Sequence, residues 1–344
     1  MLLRAAVAFI LIFSMNYNQA MAQSYSSHRQ GDTFYNPFPG YKERSFGDFL
    51  HYFIFERFKG VASEEAQTFR LESINNDGAA LRDNRDRFSI TWIGHSTLLI
   101  QVDGVNILTD PMWSDRASPF TFIGPQRLAP PGLKLSDLPP IDVVLLSHDH
   151  YDHLDKATII KLGNGPFYLV PLGVGKILQD MGITNYRELD WGDDFIYREI
   201  DFICAPAQHF SGRTVFGHNR TLWASWEIKD RQRSFYFGGD SGYAPFYREL
   251  GEKFGPFDAA ALPVGPIEPR DFMGPAHMDP GQAIQAYLDL KAKIFIPIHW
   301  GTFSLGMDHP VLPLLRLTEE IQKRSLPAER FWIPKLGETR WLID

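Results

Sequence analysis

Residues 147–155 read SHDHYDHLD and follow directly on the apolar run Ile141–Leu146. Four potential ligands, His148, His150, Asp152 and His153, fall within six residues. On a loop leaving the end of a strand, His148 and His150 can converge on one ion while Asp152 and His153 turn toward a second. Histidine with carboxylate suits zinc, and less exclusively iron or manganese. The bland alternative is a solvated polar loop, which would crowd three histidines and two aspartates into residues 148–153 at a strand end without purpose. The chain has one cysteine, Cys204, which excludes an intramolecular disulfide framework and any zinc site built from cysteine pairs. Cys204 ends an apolar run and reads as a small buried side chain.

Outward from this loop the chain is a series of short β-type runs bounded by turns. Phe88–Ile93, Thr97–Val102 and Val105–Leu108, with Asp103-Gly104 as a hairpin turn signal, read as an antiparallel meander. Residues 141–146, 167–170, 195–204, 222–228, 234–237, 259–262 and 294–298 add further strand candidates. Residues 280–290, after Asp279 as cap, and residues 313–325 are the clearest helices. Many strands with interspersed helices predict an α/β fold of two sheets covered by helices on their outer faces. No linker divides residues 88–344, which read as one domain.

The 344 residues are 44% hydrophobic, 14% aromatic and 22% charged, close to a globular average, so general disorder is excluded. The net charge is -7 and no lysine-arginine block could track a phosphate backbone, which argues against a nucleic-acid partner. Residues 1–22 read as a signal peptide: one basic residue, an apolar run over Ala5–Met15, and Ala20-Met21-Ala22 as a cleavage pattern. An uncleaved anchor is the alternative; either way the address is export, to the bacterial periplasm or beyond. Residues 23–87 form an N-terminal extension. Within it Ser45–Phe58 (SFGDFLHYFIFERF) reads as a helix with more aromatic surface than one packing stripe requires. Core packing is one reading of that surplus; a face resting on a lipid interface or a partner subunit is the other.

The H-x-H-x-D-H pattern resembles the metallo-β-lactamase superfamily, whose members share a four-layered αββα sandwich with two metals at one edge of the sheets. The resemblance implies later ligands in order, and each follows an apolar run: His209 in APAQHFSGR, Asp240 in FYFGGDSGY and His299 in FIPIHWGTF. It assigns His148, His150 and His209 to one zinc ion, Asp152, His153 and His299 to a second, and Asp240 to a bridge between them. TWIGHSTLLI, ILTDPMWSDRASP, GDSGYAPFYRELGEKFGPFD and HMDP narrow the likeness. Together they resemble the N-acyl-phosphatidylethanolamine-hydrolysing phospholipase D family, from about Asn36 to the carboxyl terminus.

That family likeness implies a phosphodiesterase of phospholipase D type. A hydroxide shared by two metal ions attacks phosphorus, releasing N-acylethanolamine and leaving phosphatidic acid. Asp152 and Asp240 then serve catalysis as well as metal binding. Tyr151 and His277 are implied contacts to the substrate phosphate, and a homodimer is implied as the assembly. His95, in WIGHST, reads as an orienting or turn histidine, and Asp110, in LTDP, as an orienting or turn-stabilising carboxylate. The alternative activity is hydrolysis of lactones or other small esters, since the same hydroxide can attack a carbonyl. A non-catalytic scaffold would have no need of all seven ligand types.

Overall fold

The computed structural model describes residues 28–43, 47, 70–214 and 217–342. The expected signal peptide and, apart from Gly47, the expected helix over Ser45–Phe58 lie outside the described residues. Two mixed sheets stack face to face. The first runs in the order β15 (Thr339–Leu342), β3 (Phe88–Gly94), β4 (Thr97–Val102), β5 (Val105–Thr109), β6 (Val143–Leu145), β7 (Phe167–Pro171) and β8 (Tyr186–Leu189). The second runs β14 (Ile294–Ile298), β13 (Ala259–Pro263), β12 (Ser234–Phe237), β11 (Ser225–Lys229), β10 (Ile200–Ala205) and β9 (Asp194–Tyr197). The short strands β1 (Arg29–Gln30) and β2 (Thr33–Phe34) pair as a separate hairpin.

The expected meander is present, with β3, β4 and β5 antiparallel and both Asp103 and Gly104 at positive φ, as a tight two-residue hairpin turn requires. In β4, Leu98 and Ile100 face the core between the sheets, whereas Leu99 faces outward. The outward side is covered by α1 (Ala79–Asp83), α2 (Lys156–Leu162) and α3 (Val174–Asp180), whose Leu81, Ile159 and Leu178 join one apolar cluster with Leu99, Val144 and Leu146. Burial on both faces is why residues 143–146 read as a continuous apolar run rather than an alternating one. Across the second sheet lie α4 (Phe246–Lys253) and α6 (Pro280–Asp289), with α7 (Leu312–Lys323) against α6. The short α5 (Arg270–Met273) precedes α6. Asp279 caps α6 as expected, its side chain accepting from the Gln282 backbone in a reciprocal capping box. The architecture is therefore the αββα sandwich.

Three readings need correction. Residues 195–204 are not one strand but a hairpin, β9 and β10, turning at Arg198, whose φ is 54°. Apolar residues resume immediately after Arg198-Glu199, a pair that carries none of the usual turn residues. β8 and β15 had no strand expectation, because as half-exposed edges of the first sheet they bury too little to need an apolar pattern. Finally, the 141–146 run contracts to β6, Val143–Leu145.

Strand direction decides where the loops gather. β3, β5 and β6 run the same way in the first sheet, and β10, β12 and β14 in the second. Their carboxyl ends release His95, Asp110, the 147–155 loop, His209, Asp240 and His299 at one edge of the sandwich. Among the described residues no helix is long and apolar enough to cross a membrane.

Candidate metal centre

Four histidines at this edge have Nδ1 tied back, so each turns Nε2 toward the others. Asp110 organises two of them. Its Oδ1 accepts from the Ser147 backbone N–H at 2.7 Å, and its Oδ2 accepts from Ser147 Oγ at 2.6 Å and from His153 Nδ1 at 2.7 Å. With its one proton given to Asp110, the Ser147 hydroxyl accepts from His148 Nδ1 at 2.9 Å. His209 Nδ1 donates to Ala276 O at 3.0 Å, and His299 Nδ1 donates to Gly265 O at 2.9 Å. Such outer contacts fix ring orientation and tautomer.

The inward atoms form two groups. His150 Nδ1 lies 2.8 Å from His148 Nε2 and 3.2 Å from His209 Nε2. Asp152 Oδ2 lies 3.3 Å from both His153 Nε2 and His299 Nε2. Asp240 Oδ2 sits between the groups, 3.7 Å from His209 Nε2 and 4.0 Å from His148 Nε2 on one side, 3.2 Å from His153 Nε2 and 3.0 Å from His299 Nε2 on the other. His277 joins the rim, with Nδ1 3.9 Å from Asp240 Oδ2. His95, Asp152, His153 and His299 are close enough to hold an ion, as are His148, His150 and His209.

The electrostatics ask for positive charge. Burial and the neighbouring histidines hold His148 well below the usual imidazolium range; burial also takes His209 well below it and lowers His150. At His153, burial pulls down, but Asp240, Asp152 and Asp110 outweigh it and lift the imidazolium well above its ordinary value. His299 is likewise raised to about 9 against the pull of burial, chiefly by Asp240 and Asp152. Asp152 and Asp240 are both held well below the carboxylate range, against burial, by the histidines around them. Two ionised carboxylates in a dry cluster of imidazoles are unstable unless cations or protons compensate. Moreover, His153 Nε2 and Asp240 Oδ1 are buried and no hydrogen bond reaches either. The donor set thus fits divalent metal ions held by histidine and carboxylate.

His95 is also part of this cluster. Burial and the adjacent His299 lower it to about 3, so it is neutral, and its Nε2 donates to the ionised Asp152 Oδ2 at 2.9 Å. The backbone supports the placement. His95 adopts a φ of 53°, its amide donates to Thr302 Oγ1 at 2.8 Å, and its carbonyl accepts from His299 N at 3.2 Å. His299 and Asp110 share positive φ, at 60° and 34°, so three non-glycine residues of the cluster are held in an uncommon backbone region.

Tyr151 is not gathered into the cluster. Its hydroxyl donates to Arg213 O at 2.7 Å and its ring lies 4.1 Å from the Arg213 guanidinium carbon, on the wall of a cleft of about 1010 Å³ beside the loop. A residue with no sequence signal does enter. Asn36 bonds the His209 backbone at two points, and Phe34 and Phe38 of the same segment are buried in the main core.

The sequence model of the family described as beta-lactamase superfamily domain matches residues 105–300. An N-acyl-phosphatidylethanolamine-hydrolysing phospholipase D of Caenorhabditis elegans is 42% identical over 263 residues, covering 72% of this chain and 74% of that protein. An uncharacterised Mycobacterium tuberculosis protein is 45% identical over 257 residues, covering 72% of this chain and 67% of its own. Among solved structures, an isothiocyanate hydrolase from Delia radicum gut bacteria superposes with a TM-score of 0.61 at 20% identity, over 74% of this chain and 99% of that one. At that identity the superposition speaks for the fold alone.

Proposed function

Since this chain belongs to the β-lactamase superfamily and, within it, to the family of the N-acyl-phosphatidylethanolamine-hydrolysing phospholipases D, and is a hydrolase, we propose that it cleaves N-acyl-phosphatidylethanolamine to N-acylethanolamine and phosphatidic acid. The likeness to the phospholipase D carries the substrate, and one observation supports the two-ion chemistry: Asp240 Oδ2 stands within 4.0 Å of imidazole nitrogens from both ligand groups, where a carboxylate shared by two ions would sit. His148, His150 and His209 would hold one ion and Asp152, His153 and His299 the other, with Asp240 common to both. Zinc suits these ligands best, with iron or manganese as alternatives. When bound, such a pair supplies Lewis acidity toward a phosphoryl oxygen and an activated water for an in-line displacement.

The chain's own residues do the rest. Asp110, Ser147 and the carbonyls of Ala276 and Gly265 fix four imidazoles with Nε2 inward before any ligand arrives. His95 holds one oxygen of Asp152 through a neutral N–H, adding no charge of its own. His277, half a site away on the same rim, can donate to a substrate phosphate oxygen, and Tyr151 faces the cleft by which a headgroup would approach. Residues 1–22 support export, and the resemblance supports a homodimer.

The test is metal analysis of the purified mature protein alongside incubation with N-acyl-phosphatidylethanolamine. Two equivalents of metal with release of N-acylethanolamine and phosphatidic acid is the expected result. Metal without that product would remove the lipid substrate and leave lactones or small esters to be tried.

A further inference from the structure

Between β5 and β6 the chain makes a hairpin-like excursion whose base is firmly rooted. Arg127 N donates to Asp115 O at 2.8 Å, Ala117 N donates to Pro125 O at 3.0 Å, and Arg116 pairs with Gln126 as an isolated antiparallel bridge. The Arg127 guanidinium donates to Met112 O at 2.6 Å and Ser114 O at 3.1 Å, and lies over the ring of Phe303, which in turn meets His95 edge-on. Residues 118–124, SPFTFIG, form the tip. Gly124 closes it at a φ of 104°, where a Cβ would stand 2.6 Å from that of Ser118.

Arg116 laces the tip from inside. Its Nε donates to Thr121 O at 3.1 Å and its Nη1 to Gly124 O at 2.8 Å, so two of the tip's carbonyls are held by a side chain of the loop itself. The apolar side chains are left to solvent: Phe120 is 54% exposed, Phe122 78% and Ile123 58%, with the two phenyl rings 5.7 Å apart. A slack loop would fold these groups down onto the protein; this one is held so that they project. Single exposed apolar residues are ordinary, but three large ones on one braced tip mark an interaction surface.

The surroundings of the tip indicate what it meets. Phe120 also lines the cleft that reaches Tyr151, and exposed Ile160 lies along the same cleft with three exposed cations, Lys156, Lys161 and Arg220. Most acids of that cleft are engaged elsewhere. Asp155 accepts from the backbone of Trp113 and Ser114, Asp149 accepts from Gly212 N, and Asp180 pairs with Lys176. Apolar side chains beyond a girdle of cations are complementary to the acyl layer and phosphates of a membrane surface.

We propose that Phe120, Phe122 and Ile123 form a wedge that enters the interface of an anionic phospholipid bilayer, with Lys156, Lys161 and Arg220 meeting its phosphates. This deepens the phospholipase reading and rests on it for the sense of the cleft, which then opens toward the bilayer that holds the substrate.

Co-sedimentation of the full chain with phosphatidylcholine vesicles, with and without phosphatidylglycerol, tests the wedge. Wild type should bind, more tightly with phosphatidylglycerol, and Phe122→Ser/Ile123→Ser should lose about tenfold or more in vesicle affinity. Its melting temperature should stay unchanged, as should its turnover of a short-chain, water-soluble substrate analogue. Lys156→Gln/Lys161→Gln/Arg220→Gln should lose only the phosphatidylglycerol-dependent part, most at low salt. Unchanged vesicle affinity in the apolar variant, or no vesicle binding by wild type, overturns the proposal. So does a fall in molecular mass with vesicle binding retained, which would make a second copy of the chain the occupant. Cleavage of N-acyl-phosphatidylethanolamine in detergent micelles is scored separately, so the wedge and the phospholipase reading can fail independently.

Discussion

Asn36 and His209 are 173 positions apart in the chain, and the side-chain amide of the first clamps the backbone of the second: Asn36 Nδ2 donates to His209 O at 2.7 Å, and His209 N donates to Asn36 Oδ1 at 3.1 Å. A residue that lies between β2 and β3 in the chain thus holds a candidate ligand in place from behind. Asn36→Ala leaves two backbone groups of a fully buried residue unpaired, at a cost of roughly 1–3 kcal/mol each. Metal affinity of the group formed by His148, His150 and His209 should fall about 10–100-fold, the range of lost orienting contacts, with the other group spared. Asn36→Asp should not rescue it, because the donor to His209 O is still missing. Titration of the apoprotein against a competing chelator reads this directly, and equal affinity in variant and wild type would remove the role.

Asp110 is the counterpart on the other group. It accepts from His153 Nδ1 and from the Ser147 hydroxyl that in turn orients His148, so one carboxylate governs a ring in each group. Asp110→Asn turns an NH2 either on Ser147 Oγ and His153 Nδ1 together or on the Ser147 amide, and should weaken both metal equivalents by about 10–100-fold. The discriminating measurement is the number of equivalents affected. Loss of only one would confine Asp110 to His153.

The centre is legible in the sequence to the extent that its atoms are local. His148, His150, Asp152 and His153 stand on one loop, and any reader can see them; His209, Asp240 and His299 needed the family likeness to join them, although each follows an apolar strand as a loop-borne ligand should. Asn36 could not be seen, because a lone asparagine has neither periodicity nor motif and its partner is remote. His95 and Asp110 were visible as residues but not as hydrogen bonds, which depend on the positive φ each adopts. In the fold, buried central strands were readable from apolar runs, whereas the edges β8 and β15 and the β9–β10 turn were not. Edge strands need no continuous apolar pattern, and a turn at Arg198 has no glycine, asparagine or proline to announce it.

Asp240 is the residue on which the two-ion reading depends most. Asp240→Asn keeps the shape but removes a charge from between the two groups, so the variant should retain less than the full metal complement and lose turnover by a factor of at least about 100. Metal content and turnover are measured on one sample. Full-rate turnover in Asp240→Asn would exclude a bridging role.

Glu227, on β11, offers a test of stability away from the centre. It is buried, its Oε1 is reached by no hydrogen bond, and burial pushes its carboxyl well above the usual range, opposed by Lys229 and reinforced by Asp201. Asp201, on the neighbouring strand, is raised to about 6 by burial and by Asp194. For an acid whose folded pKa exceeds its unfolded one, the folded state binds the proton more tightly. The destabilisation is therefore absent below the unfolded value, grows as pH rises toward the folded value, and is complete above it. Glu227→Gln removes the group that must ionise and should melt a few degrees above wild type at pH 8. The gap should close as pH falls toward the ordinary glutamate value of 4.5. Asp201→Asn should show its own gap opening between 3.8 and about 6. Thermal unfolding of the three proteins across pH distinguishes this from a packing effect, since a gap that does not vary with pH cannot come from ionisation.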